Sequence, residues 1–142
     1  MQPVTSFLTG ITVGPDGTLW FGDGSTGSSI RRITTSGSIS ALQGPSAGVN
    51  SITTGPDGAL WFTEYSALVI GRITTSMAMT EYPVPNPPTP NSYPYLFGIT
   101  TGPDGALWFT DSFHTAIGRI TTSGAITEYP VPTALPYAST LI

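Results

Sequence analysis

The phrase ITTGPDGALWFT at residues 52–63 returns letter for letter at 99–110, and a third version, ITVGPDGTLWFG, stands at 11–22. With Gly14, Gly55 and Gly102 as phase marks, the spacings are 41 and 47 residues. Residues 52–85 and 99–132 match without gaps at 26 of 34 positions, so the repeating unit runs well past the phrase. A unit of this size cannot bury both faces of a sheet alone and must be packed by its neighbours. A period of about 40–50 residues rich in strand formers predicts propeller blades or a similar array.

Each unit carries signals for four short strands. GITTG is a β-branched stretch between glycines, and GPDG supplies a turn with Pro, Asp and Gly in their preferred places. ALWFTEY is an apolar, aromatic strand that does not alternate, which predicts burial on both faces. IGRITTS is a third strand, ended by Ser-Gly in the first and third copies, and ITEYPVP is a fourth, whose prolines place it at a sheet edge. No segment shows helical periodicity. The fold predicted is an all-β propeller with three four-stranded blades, over about 8–47, 48–95 and 96–142, in one unit spanning 1–142. Gln2-Pro3-Val4-Thr5 looks like the tail of a fourth strand, and 133–142 like linker.

Propellers close with about 4–8 blades. Three blades leave two open apolar sides, so the ring is expected to close by oligomerisation. A head-to-tail homodimer with six blades is the expected form. The partner is thus the chain itself, with a small molecule or glycan as a further ligand.

Composition excludes other partners. Charged residues make up 8% of the chain, the net charge is −4, and the only cations are Arg31, Arg32, Arg72 and Arg119. Binding of a nucleic-acid backbone needs a clustered basic surface, and none is encoded. No apolar run reaches the length of a membrane span. The stretch MQPVTSFLTG lacks the charged and apolar regions of a secretory signal, and a soluble protein is expected. With no cysteine, disulfides, thiolate metal sites and thiol catalysis are excluded.

Repeated Trp20, Trp61 and Trp108 are expected as packing between blades. Arg32, Arg72 and Arg119 recur in register on the third strand and are expected to pair with nearby repeated acids. Asp16, Asp57 and Asp104 belong to the turns, where their side chains bond local backbone. Asp23, Glu64 and Asp111 follow the WFT phrase; they either ring a channel mouth and hold a cation through oxygen ligands or pair with Arg72 or Arg119. The copies differ mainly in the loop after that acid and in the linkers, which open on one face. Loops on a rigid scaffold are where binding is concentrated. Tyr65, Tyr93, Tyr95, Phe113 and His114 lie on that face, either as an aromatic-lined site or as caps on the core.

GPDGALWFTE, followed by IGRITT and TEYPVP, resembles the virginiamycin B lyase (streptogramin lyase) family from about Gly10 to Pro132. The resemblance implies a seven-bladed single-chain propeller and elimination chemistry that opens the lactone of type B streptogramins. It also implies a magnesium ion, two histidines and an acid on one face. Carried over, the acid matches Glu64, with Asp23 and Asp111 at the same place. The first histidine slot holds Thr9, Val49-Asn50-Ser51 and Phe97; the second holds Ser25, Ser66 and Phe113. The single histidine, His114, falls one residue out of register. Three functions follow: a self-assembling structural propeller without an assigned activity, a ligand- or carbohydrate-binding propeller, and a streptogramin lyase. No catalytic residue or metal ligand is assigned from the sequence.

Overall fold

A computed structural model describes residues 8–23, 30–42, 44–45, 47–64, 67–85 and 95–132. Tyr65, Tyr93, Ser25, Ser66, the segment at 2–5 and the linker at 133–142 lie outside the described residues.

The described residues form an all-β, partial propeller of three four-stranded antiparallel sheets. Blade 1 holds β1 (Leu8–Val13), β2 (Leu19–Asp23), β3 (Ile30–Ile33) and β4 (Ile39–Leu42). Blade 2 holds β5 (Val49–Thr54), β6 (Leu60–Glu64), β7 (Val69–Ile73) and β8 (Met79–Pro83). Blade 3 holds β9 (Leu96–Thr101), β10 (Leu107–Asp111), β11 (Ala116–Ile120) and β12 (Ile126–Pro130). Each sheet pairs its strands in chain order, so Pro83 and Pro130 fall on outer strands, where a missing N–H breaks no ladder.

Blades stack face on face. One core joins Trp20 and Ile30 of blade 1 to Val49, Ile52, Leu60, Phe62 and Ile73 of blade 2. The next joins Ala59, Trp61, Leu68, Ile70 and Val84 of blade 2 to Leu96, Ile99, Leu107, Phe109 and Ile120 of blade 3. Blade 2 is thus covered on both sides, and every residue of β6 is buried. That is why the WFT phrase does not alternate. Hydroxyls stitch the inner strands: Thr54 Oγ1 donates to the Val13 carbonyl, and Thr101 Oγ1 donates to that of Thr54 at 2.7 Å.

The first strand of each blade carries one extra residue opposite the acid that ends the second strand. The shift falls between Leu8 and Ile11, between Val49 and Ser51, and between Phe109 and Asp111 as paired with β9. Such bulges re-aim side chains at strand ends. At the bulge, Thr9 Oγ1 donates to the Val49 carbonyl at 2.8 Å, and Asn50 Nδ2 donates to the Leu96 carbonyl at 2.7 Å. Two of the slots where the family resemblance implies a histidine therefore bind the next blade's backbone.

The arginines are placed differently from expectation at the acids after WFT. Arg72 Nε donates to Asp57 Oδ2 at 2.8 Å and Arg119 Nε to Asp104 Oδ2 at 2.8 Å, both in the GPDG turns. Arg32 Nη1 reaches Asp16 Oδ2 at 3.0 Å. Among the described residues, neither Glu64 nor Asp111 pairs with Arg72 or Arg119. Register decides this: Arg72 stands opposite Trp61 and Arg119 opposite Trp108. Each arginine therefore lies over its indole, 5.4–5.9 Å from the ring centroid, and reaches the turn end of the blade.

Candidate functional site

The turn ends are built alike. The Asp Oδ1 of each GPDG accepts the indole Nε1–H of the Trp four residues on, at 3.0, 3.0 and 2.9 Å. The same oxygen accepts a backbone N–H two residues on. Burial raises the Asp16 pKa, but hydrogen bonds from Trp20, Thr18 and Arg32 outweigh it and hold the carboxyl at about 2. The Trp108 and Arg119 hydrogen bonds hold Asp104 at about 2. These carboxylates are committed to structure.

The opposite ends of the blades differ. Asp23, Glu64 and Asp111 are all buried, as 0%, 3% and 2% exposed residues, and each blade handles its buried acid in its own way. In blade 1, Arg31 Nε lies 3.2 Å from Asp23 Oδ2. Arg31 occupies the register position that glycine holds elsewhere, as Gly71 and Gly118.

In blade 2 a second carboxyl takes the place of the cation. Glu81 stands opposite Gly71, and Gly71 opposite Phe62, so Glu81 shares a sheet face with Glu64. Burial and the neighbouring Glu81 push the Glu64 carboxyl up to about 8. Two carboxylates cannot hydrogen-bond to each other, so the pair is stable near neutrality only when a proton or a cation sits between them. Glu64 Oε1 is buried with no hydrogen-bond donor.

In blade 3 a histidine joins the acids. His114 Nδ1 lies 2.7 Å from Asp111 Oδ2, and the His114 amide donates to Asp111 Oδ1 at 3.0 Å. Glu128, equivalent to Glu81, places Oε1 3.4 Å from His114 Nδ1. Burial acts to raise the Asp111 pKa, but hydrogen bonds from the Glu128 carboxyl and from the His114 amide and ring bring it below the ordinary carboxylate range. Glu128 moves up, through burial and the Asp111 carboxylate. Two carboxyls whose environments drive them apart can serve as acid and base. Thr115 follows at φ 51, left-handed backbone that a β-branched residue rarely adopts. Phe113 packs edge-on against His114 with ring centroids 4.8 Å apart. Nearby, Phe97 is 47% exposed, and its ring centroid lies 6.0 Å from that of Tyr95.

A magnesium ion, which the resemblance implies, fits these groups chemically. Hard cations take carboxylate oxygens, and Glu64 Oε1 is a buried acceptor without a hydrogen-bond donor. Asp111, His114 and Glu128 also converge, with one ligand atom from each within 4.8 Å of the others.

Sequence reasoning singled out Asp23, Glu64, Asp111 and His114 but missed Arg31, Glu81 and Glu128. Their signal was in the register: the glutamate of TEYP lies ten residues after the glycine of IGR, directly across the hairpin.

The sequence profile of the virginiamycin B lyase family matches residues 2–142. A streptogramin B lyase structure superposes with TM-score 0.80 at 41% identity, covering 94% of this chain and 44% of that one. A catalytically inactive virginiamycin B lyase from Staphylococcus aureus with quinupristin gives 0.79 at 44% identity, covering 94% and 44%. The chain thus spans less than half the length of these lyases. A gluconolactonase from Xanthomonas campestris, at 16% identity and TM-score 0.66, shares the fold alone. Comparison with the curated proteins gives no match.

Proposed function

The chain belongs to the virginiamycin B lyase family, and from that premise we propose that it supplies blades and acid–base groups to a propeller that opens a cyclic depsipeptide lactone by elimination. The observation that carries this reading is the 2.7 Å contact of His114 Nδ1 with Asp111 Oδ2 beside Glu128. With Asp111 held ionised, the ring nitrogen facing it carries the proton, which leaves the lone pair on Nε2. His114 is then a base oriented by a carboxylate. Elimination removes the proton α to a carbonyl and expels the ester carboxylate from the β-carbon, so the product is a linear isomer of unchanged mass. Glu128, with its raised pKa, is suited to return a proton. Magnesium, when bound, would offset the carboxylate charge and polarise the ester carbonyl. Asp111 and Glu128 would hold it in blade 3, and Glu64 and Glu81 in blade 2.

Incubation with quinupristin and magnesium, followed by mass spectrometry, tests this. The expected product is a linear isomer, and His114→Ala is expected to lower its rate by about 10²–10⁴-fold. No conversion with excess protein, or a product that has gained water, would contradict the reading. A second reading, binding of a small molecule or glycan without turnover, is favoured by the exposed Phe97 beside Tyr95; a ligand-dependent rise in melting temperature without conversion would select it.

A further inference from the structure

The three blades present a buried acid in one backbone register but place two different residue pairs beside it. In blades 2 and 3 the third strand has glycine opposite the phenylalanine of the WFT phrase, Gly71 opposite Phe62 and Gly118 opposite Phe109. The fourth strand then has glutamate opposite that glycine, as Glu81 and Glu128. Blade 1 changes both positions together: Arg31 stands opposite Phe21, and Ala41 opposite Arg31. Where the second carboxyl is lost, a guanidinium is gained.

The exchange alters charge and leaves the backbone register alone. A buried carboxylate needs a counter-charge. Blade 1 supplies its own: Asp23 is fully buried, and Arg31, which stays charged at any ordinary pH, makes the pair neutral. Arg31 Nε lies 3.2 Å from Asp23 Oδ2 without the alignment of a hydrogen bond, so the guanidinium acts there by its charge. Blade 2 supplies none. Among the described residues no arginine or histidine pairs with Glu64, which is buried and whose Oε1 has no hydrogen-bond donor. Packing keeps arginine out of blades 2 and 3. At Gly71 or Gly118 an added Cβ would stand 2.1 Å from a carbon of the buried Phe62 or Phe109 ring.

We propose that the Arg31 guanidinium takes the place of a divalent cation, so that blade 1 holds a closed copy of the acid site that blades 2 and 3 leave open. The same two register positions then decide which blades bind metal. Glycine with glutamate leaves two carboxylates for a hard cation; arginine with alanine leaves one, already neutralised. The inference rests on the magnesium sites proposed for blades 2 and 3 and is independent of lactone opening. It makes Arg31 and Ala41 the residues that withhold a cation site from blade 1.

Manganese(II), which takes the same oxygen ligands as magnesium, is the probe. Its binding to the intact chain is counted from the electron paramagnetic resonance signal of the free ion, with circular dichroism as the check on folding. The double variant Arg31→Gly with Ala41→Glu copies the residues of blade 2 and is expected to bind one more ion per chain than the wild type. Ala41→Glu alone is expected to add none, because the guanidinium stays. Arg31→Gln with Ala41→Glu removes the charge but keeps a side chain; it is expected to add the same ion, and it carries the test if the glycine variant fails to fold. An added ion in Ala41→Glu alone would overturn the proposal, as would folded double variants that bind no more than the wild type. The wild type reads the premise separately: no bound manganese at millimolar concentration would remove the sites of blades 2 and 3, and this inference with them. Conversion of quinupristin does not enter the count, so failure of the lyase reading leaves the result intact.

Discussion

The two ends of a blade follow different rules. At the turn end, Asp16, Asp57 and Asp104 each hold an indole N–H and an arginine in one arrangement. At the loop end, one backbone register presents a buried acid three times, and the acid is balanced by Arg31, by Glu81 with a proton, or by His114 with Glu128. The first end joins the strands of a blade and repeats because every blade needs it. The second is fixed only in backbone, and two register positions, the glycine of IGR and the glutamate of TEYP, decide its charge.

Substitutions should separate the two ends. Asp57→Ala removes the partners of the buried Trp61 indole, of Arg72 and of a turn amide, and is expected to cost about 3 kcal/mol in urea unfolding. Gly71→Ala would place a Cβ 2.1 Å from the buried Phe62 ring; this overpacking is expected to cost about 2 kcal/mol. Arg31→Gly gives blade 1 the glycine of its neighbours without their glutamate, leaving Asp23 without its Arg31 contact. Because Arg31 is a third exposed, the loss is expected at about 1 kcal/mol. A loss as large as that of Asp57→Ala would mean that the loop end is as structural as the turn end.

A further change is confined to a pH window. Glu64 has its carboxyl raised from 4.5 to about 8. Between those values the unfolded chain releases the proton and the folded chain keeps it, so stability falls as pH rises through the window. Glu64→Gln is expected to flatten that fall, by less than about 1.4 kcal/mol per pH unit, and to be neutral or stabilising at pH 8. A mutant as pH-dependent as the wild type would place the raised pKa elsewhere.

Much of the fold was legible because a repeat announces its own boundaries. The GPDG turns, the doubly buried WFT strand and the edge prolines each follow from local chemistry. The arginine partners were not legible. Arg72 and Asp57 are 15 residues apart, and only the cross-strand pairing of Arg72 with Trp61 sends the guanidinium to the turn end. Glu81 and Glu128 were missed for the same reason: each lies two strands away from the acid it meets, across a glycine. His114 was visible as the single histidine, but its tie to Asp111 depends on the tight loop from Ser112 to Thr115, and spacing alone did not show it.

The difference between the two ends is tested most directly by site-resolved NMR titration of the side-chain carboxyls in the intact chain. Asp16 and Asp104 should titrate together at about 2, Asp111 below the ordinary range, and Glu64 at about 8. If Glu64 and Asp111 titrate together in the ordinary carboxylate range, the loop ends are not the separately tuned acid pockets described above.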